Sequence, residues 1–451
     1  MKWSKFNYLY YSSKHNKSLL YNSLSNTFVN VSNPELEQTL IEIRDSGSII
    51  TFEEQQSLFE ELKKAKIIVE SDETEILKIK HRLFVNRYSP FTINLTVLPT
   101  LSCIFRCPYC FTKEGDGTFM DQEVSEKIIK LVDNLSSNIK STYLHLAWMG
   151  GEPLLNFNII KELTERLQKM DITIDASIVT NGYLMTKEKI EQFKELNIRC
   201  VQITIDGLNE EHNATRIHKN DVDSFSKIIS NMDTFFRIYD KRETVAINVR
   251  VNLDRTKDYL RKFVEVYKYL RNRYPYKNLF ISPGFIDDIK SNGSNLSCLF
   301  DKSTAKDFFV DIIKLGFTEY SLYPDNQVFD CAVKSSNSFV IGPKGELYSC
   351  WENIGHNDYI TGYINEKGLP IITNEESLFR YLIDADFLND PKCLDCFFFP
   401  ICTGGCPEKR IRNKHCNACF DVCMMHKTAI EEILDLHYEV KQKRTSKNEK
   451  T

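Results

Sequence analysis

The chain has 451 residues, 42% of them hydrophobic, a net charge of −4 and 14 cysteines. That length predicts two or three domains around a large core, and the mildly acidic balance excludes a global electrostatic footprint for nucleic acid or an anionic membrane. Met1-Lys-Trp-Ser-Lys-Phe lacks the apolar core of a signal peptide and no apolar run reaches a membrane span of about eighteen residues; a cytoplasmic protein is expected, with no nucleic-acid or membrane partner and with cysteines kept for metal ligation.

Residues 1–85 form the first predicted unit. Short strands at 6–11, 19–21 and 27–31 precede a helix capped by Ser32-Asn33-Pro34, with Leu36, Leu40, Ile41 and Ile43 along one side. A second helix starts at Thr51 with Glu54 three residues on, a capping-box pattern, and carries Phe52, Leu58, Phe59 and Leu62. Residues 67–70 and 76–80 then read as a β-wing around Ser71-Asp72-Glu73-Thr74. Helices plus a wing could read DNA, but Ser32 to Lys80 holds twelve Asp/Glu against six Lys/Arg, which opposes phosphate binding. The segment resembles the winged-helix recognition element of enzymes that modify ribosomally made peptides. The resemblance implies a precursor-peptide partner whose leader adds a strand to an exposed sheet edge.

Residues 86–290 alternate apolar strands (92–98, 143–148, 176–179, 201–205, 245–251 and 279–281) with helical stretches. Such alternation predicts an α/β fold of parallel strands joined by right-handed crossovers, and six units predict a partial (β/α)6 barrel with its chemistry at the carboxyl strand ends. At the first such end stands Cys103-x3-Cys107-x2-Cys110-Phe111. Three thiolates on one loop can hold three irons of a [4Fe-4S] cluster, which leaves the fourth iron open; a zinc knuckle is the bland alternative. Gly150-Gly151-Glu152-Pro153 follows the second strand, where paired glycines admit close backbone approach, Pro suits a first helical turn and Glu can accept from an ammonium. Thr180-Asn181-Gly182 closes the third strand and Thr204-Ile205-Asp206-Gly207 the fourth, and both could be plain turn chemistry.

Together these motifs resemble the radical S-adenosylmethionine (SAM) enzymes. The resemblance implies that Cys103, Cys107 and Cys110 ligate the catalytic cluster and that its open iron chelates SAM. Gly150, Gly151, Glu152 and Pro153 would meet the methionyl amine, Tyr109 and Phe111 would frame the adenine, and Thr204 with Arg216 twelve residues later would grip ribose and carboxylate. Thr180, Asn181 and, more weakly, Asp206 complete the set. A guanidinium matches a carboxylate bidentately, which gives Arg216 a physical reason of its own. Cys200, inside an apolar strand, reads as a small core residue.

Residues 291–440 read as cysteine-rich and loop-like, with a helix over 425–440, and residues 441–451 as a disordered tail. The series Cys331-x13-Gly345-x4-Cys350, then Cys393-x2-Cys396-x5-Cys402-x3-Cys406, then Cys416, Cys419 and Cys423 resembles the SPASM extension, which binds two auxiliary [4Fe-4S] clusters; zinc ribbons are the alternative. The resemblance implies Cys331, Cys350 and Cys406 on the nearer cluster and Cys393, Cys396, Cys402 and Cys423 on the outer one, with Cys416 or Cys419 as fallbacks. Asp325 stands where relatives often carry a cysteine, so the nearer cluster would lack a fourth protein ligand unless Cys298 supplies it.

The expected function is a peptide maturase with three [4Fe-4S] clusters, fed by an electron donor such as flavodoxin or ferredoxin. SAM cleavage yields a 5'-deoxyadenosyl radical that abstracts hydrogen from a precursor peptide to install a thioether or carbon–carbon crosslink. The alternatives are an anaerobic sulfatase maturase, a peptide epimerase and a non-catalytic iron–sulfur or zinc peptide-binding protein. Sulfatase maturases carry Asp directly after the Cys350 position, whereas this chain has Trp351 and then Glu352.

Overall fold

The computed structural model describes the chain apart from residues 32, 47–55, 113–116, 138, 140–141, 240–243, 256, 287–300, 318, 325–329 and 449–451. Ser32, the capping box at Thr51 and Glu54, Phe52, Cys298 and Asp325 lie outside the described residues.

The N-terminal unit opens with β1 (Lys2–Trp3) and an antiparallel meander of β2 (Asn7–Ser12), β3 (Lys17–Asn22) and β4 (Thr27–Val31). Then come α1 (Pro34–Ser46), α2 (Gln56–Lys64), β5 (Ile68–Val69), which pairs with β1, and α3 (Asp72–Arg87). Leu20, Val31, Leu40, Ile43 and Leu62 close a small core between meander and helices. The expected wing is absent here: residues 76–80 lie inside α3. The polar Ser71–Thr74 stretch is a helix start rather than a hairpin turn, with Ser71 Oγ accepting from Thr74 N at 3.3 Å and Asp72, Glu73 and Glu75 in the first turn.

The barrel unit runs through β6 (Thr92–Val97), α4 (Gln122–Ser136), β7 (Thr142–Trp148), α5 (Phe157–Leu167), β8 (Ile172–Thr180) and α6 (Lys187–Gln192). It continues with β9 (Ile198–Thr204), α7 (Glu210–Thr215), α8 (Ser224–Ile238), β10 (Ala246–Leu253), α9 (Tyr259–Arg273), β11 (Leu279–Phe285) and α10 (Lys302–Lys314). All six strands are parallel, in the order β11-β10-β9-β8-β7-β6. Period-two patterning decides which face each side chain takes. In β10 Ile247, Val249 and Val251 are fully buried, while Asn248, Arg250 and Asn252 alternate with them on the other face. The core between sheet and helices holds Trp148, Phe193, Phe235 and Phe263, each fully buried and each contributing about 2–3 kcal/mol by leaving water.

The sheet does not end at β6. Strand β12 (Ser338–Ile341) pairs with it in parallel, and β13 (Glu346–Tyr348), β14 (Ile360–Ile364) and β15 (Pro370–Ile372) continue antiparallel to make ten strands. The expectation of a merely loop-like C-terminal region is therefore corrected: its short strands prolong the barrel sheet. Helices α11 (Glu375–Phe379), α12 (Pro391–Leu394), α13 (Pro407–His415) and α14 (Ile430–Asn448) follow. Residues 441–448, expected as a disordered tail, continue α14.

The N-terminal unit seats on the cysteine-rich region. Tyr10, Leu19 and Tyr21 pack with Phe398, Ile401 and Leu434, and Tyr10 Oη donates to Asp435 Oδ1 at 2.9 Å. Arg87, at the end of α3, reaches across to Asp330 and Asp386.

Candidate active site and cysteine centres

The loop after β6 carries Cys103, Cys107 and Cys110 at the carboxyl end of the parallel strands. Two backbone hydrogen bonds strap it to the stretch after Arg216, from Arg106 N to Ile217 O and from Lys219 N to Ile104 O, both 2.8 Å. Burial pushes the Cys103 thiol up to about 12 and Cys107 to about 11, and each thiol feels the charge of Cys110. Metal ligation would have to displace the protons that burial holds on Cys103 and Cys107.

Gly150 and Gly151 serve this loop first. A Cβ on Gly150, where φ is +139°, would lie 2.2 Å from Thr100 O, and one on Gly151 would lie 2.3 Å from Ser102 O. The glycines thus admit the cysteine loop's own backbone, closed by Gly151 N to Thr100 O at 3.1 Å and Glu152 N to Ser102 O at 2.8 Å. Pro153 starts a short 3-10 turn over Glu152. The Glu152 carboxylate is fully buried and spans two strand ends, accepting from Leu154 N (3.0 Å), Thr180 Oγ1 (2.7 Å) and Asn181 N (2.8 Å). Burial pushes its pKa up, and these donors and Arg216 oppose that shift. Asn181 Nδ2 in turn points to Cys103 Sγ at 4.0 Å.

On the other side of the loop, Tyr109 Oη donates to Asp206 and accepts from Arg216 Nη1 at 3.1 Å. Arg216 is buried and lies over the Phe105 ring, 5.6 Å from its centroid. Burial alone would lower its pKa, but Tyr109, Cys107 and Asp206 raise it further. Asp206 Oδ1, His212 Nε2 and Arg216 Nε are buried without a hydrogen-bond partner. The orphaned atoms of Asp206 and Arg216, whose charges act on Cys107 and Tyr109, fit a polar ligand such as a carboxylate or a sugar hydroxyl. Phe111 packs against the apolar cluster that holds Leu98, Leu101 and Met149, and Thr204 ends β9 in register with Arg250.

Sequence reasoning missed Arg250. It extends into the lumen from β10, hydrogen-bonded through Nε to Asn252 Oδ1 at 3.0 Å. Burial lowers its pKa, opposed by Glu352, Tyr109 and Asp206. The signal was present: Asn248, Arg250 and Asn252 break an otherwise apolar strand at period two.

In the C-terminal region burial raises the thiols of Cys331, Cys350 and Cys406; Cys350 also feels the charge of Cys406 and Cys331, and Cys406 that of Cys331. Burial raises the Cys402 thiol, which also feels the charge of Cys396 and Cys423, and Cys393 lies a turn before Cys396, with Cys396 N bonded to Cys393 O at 3.1 Å. Cys416 and Cys419 are exposed; Cys200 is half-buried in β9. Among the described residues no three His, Cys, Asp or Glu side chains converge on a single-ion site. Sets of three or four thiols are the donor chemistry of an iron–sulfur cluster.

Residues 97–249 match the Radical SAM superfamily. The chain carries a radical SAM domain. That superfamily implies a [4Fe-4S] cluster and SAM. Across more of its length the chain is similar to the cysteine-type anaerobic sulfatase-maturating enzyme of Clostridium novyi, 26% identical over 357 residues, covering 71% of this chain and 90% of that protein. It is 24% identical over 363 residues to the radical SAM cyclopropyl synthase TigE of Paramaledivibacter caminithermalis, covering 74% of this chain and 72% of that one. The structure of native anSMEcpe with bound AdoMet shares the fold, with a TM-score of 0.57 at 21% identity over 77% of this chain and 97% of that one. Among the described residues, no helix is long and apolar enough to cross a membrane.

Proposed function

We propose that this radical SAM chain is a maturase of ribosomally made peptides that installs a thioether or carbon–carbon crosslink. The observation that carries this reading is the convergence, at one mouth of the parallel strands, of the Cys103–Cys110 loop, the Gly150–Pro153 turn and the Tyr109–Asp206–Arg216 network. The cluster and SAM supply a carbon radical able to take hydrogen from an unactivated carbon. Cys103, Cys107 and Cys110 would hold the cluster, and the Gly150–Pro153 turn would receive the methionyl amine. Arg216 and Asp206, with their orphaned Nε and Oδ1, would take the cofactor's carboxylate and hydroxyls together with Thr204. Glu152 holds the ends of β7 and β8 in place through Thr180 and Asn181. Phe111 and the apolar mouth would exclude water from the radical.

Cys331, Cys350 and Cys406 would hold the nearer auxiliary cluster, and Cys393, Cys396, Cys402 and Cys423 the outer one, making three clusters in all. The leader of the precursor peptide would add to the N-terminal meander at β4. That edge has no strand partner among the described residues, whereas β2 faces α14 through Tyr8 and Tyr10. An electron donor of flavodoxin or ferredoxin type would feed the site. Sulfatase maturation is the second reading, favoured by the match to 90% of the Clostridium novyi enzyme.

Anaerobic reconstitution, then dithionite, SAM and candidate peptides, tests the proposal. Release of 5'-deoxyadenosine with loss of two hydrogens per link in the peptide supports crosslinking, and formylglycine in a sulfatase peptide selects the second reading. An unchanged mass with altered retention means epimerisation, and no 5'-deoxyadenosine removes every catalytic reading.

A further inference from the structure

One charged side chain controls two of the sulfur contacts at the outer cysteine set. Arg410, in α13, donates through Nη2 to Cys393 Sγ at 3.1 Å, pairs through Nη1 with Asp390 Oδ2 at 3.3 Å, and donates through Nε to Gly404 O at 2.5 Å. The peptide N–H of the same Gly404 donates to Cys402 Sγ at 3.3 Å. The guanidinium therefore touches one thiol directly and orients the donor to a second through a single residue. The backbone is shaped for this relay. Gly404 has φ +80° and a Cβ there would lie 2.4 Å from Phe387, while Gly405 has φ +73° and a Cβ there would lie 2.0 Å from Val422 O.

Arg410 is not a solvated surface residue, since its side chain is only 15% exposed. Nor is its charge redundant. Cys393 Sγ stands 3.4 Å from Asp390 Oδ2, so once the thiol loses its proton to a metal, a thiolate faces a carboxylate. Among the described residues, Arg410 alone bonds both through its side chain.

We propose that Arg410 is a positioning residue that sets the reduction potential of the outer cluster, by donating to the Cys393 sulfur and by fixing the Gly404 N–H on the Cys402 sulfur. This rests on the reading of Cys393, Cys396, Cys402 and Cys423 as cluster ligands. Hydrogen bonds to ligand sulfurs stabilise the reduced cluster and raise its potential, and a guanidinium donor is stronger than a neutral one. Loss of Arg410 removes one donor and frees the other.

The test is a redox titration of the full-length, anaerobically reconstituted protein followed by electron paramagnetic resonance, with iron content measured in parallel. Arg410→Gln is expected to keep the wild-type iron content and move one auxiliary midpoint to a more negative potential, with the other two unchanged. Arg410→Lys, which keeps the charge but loses the fork, should fall between. If Arg410→Gln sheds iron, Arg410→Lys decides: a shifted midpoint at full iron supports the proposal. An unshifted midpoint at full iron, or iron loss in both variants, overturns it and leaves Arg410 a structural strut. A Cys396→Ala protein that binds as much iron as the wild type overturns the outer-cluster reading itself, and the proposal with it.

Discussion

Trp351 Nε1 donates to Thr96 Oγ1 at 2.9 Å, which ties the residue after Cys350 to the first barrel strand. The contact joins the cysteine-rich region to the barrel across 255 positions of sequence. Trp351→Phe keeps most of the ring and removes the donor. It should cost about 1 kcal/mol in thermal unfolding and uncouple the reaction, so that 5'-deoxyadenosine forms in excess over modified peptide. Quantifying both products in one reaction checks this; an unchanged ratio removes the positioning role of Trp351.

Gly151→Ala is predicted to damage the site more than its size suggests. The added Cβ would meet three backbone atoms, Ser102 O at 2.3 Å, Leu101 O at 2.5 Å and Ser102 C at 2.6 Å, and backbone cannot rotate away. The cysteine loop must shift, and SAM binding by equilibrium dialysis should weaken at least about tenfold, or about 1.4 kcal/mol. Iron at the C-terminal sets should be unaffected.

Glu152→Gln keeps the shape of the side chain but replaces one accepting oxygen with a donor. Three donors converge on the carboxylate, so at least one buried donor is left unsatisfied, at a cost of about 1–3 kcal/mol. Urea unfolding measures it; a midpoint equal to the wild type would mean that Glu152 is already protonated in the folded chain.

His212 gives the fold a pH dependence. Burial, with the nearby Arg216 charge, pushes its pKa down to about 3 from 6.5. The unfolded chain binds the proton below its ordinary value and the folded chain refuses it, so this contribution is fully present above 6.5 and is lost as pH falls toward 3. The slope approaches about 1.4 kcal/mol per pH unit inside that window. Denaturant titrations at about pH 7.5 and about pH 5.5 should show a larger drop for the wild type than for His212→Asn; equal drops would refute the assignment.

Arg87 joins the N-terminal unit to the segment beside Cys331. It bonds Asp386 through Nη1 at 2.7 Å and Nη2 at 3.0 Å, and Asp330 through Nε at 2.9 Å. All three are nearly inaccessible, and Lys334 stands 3.9 Å from Asp386. Asp386→Ala leaves buried cations short of a counter-charge and should destabilise by about 3–5 kcal/mol. Calorimetry should show the loss, with Arg87→Met/Asp386→Leu recovering part of it.

All six barrel strands and the chemistry-bearing turns at their ends were legible, because parallel buried strands write long apolar runs whose ends are marked by Gly, Asn and Asp. The wing was misread because Ser71 to Thr74 serves a hairpin turn or a helix cap equally well, and only the hydrogen bond from Thr74 N to Ser71 Oγ separates them. The strands β12 to β15 escaped because segments of three to five residues carry too little periodicity, and pairing with β6 supplies what the local pattern lacks.

Cysteine spacing and the Gly150–Pro153 and Thr204–Gly207 turns carried the resemblance to the radical SAM enzymes, which the match of residues 97–249 bears out, because ligand spacing on one loop is a local property of the chain. Tertiary structure decided everything that depends on distant approach. It showed that Gly150 and Gly151 make room for the cysteine loop's own backbone, that Arg250 feels the charges of Tyr109 and Asp206, and that Arg410 bonds the Cys393 sulfur and, through Gly404, orients the donor to Cys402. The Arg250–Tyr109 relation joins residues more than a hundred positions apart, and only the packing of sheet against helix and loop brings such residues close enough to act on one another.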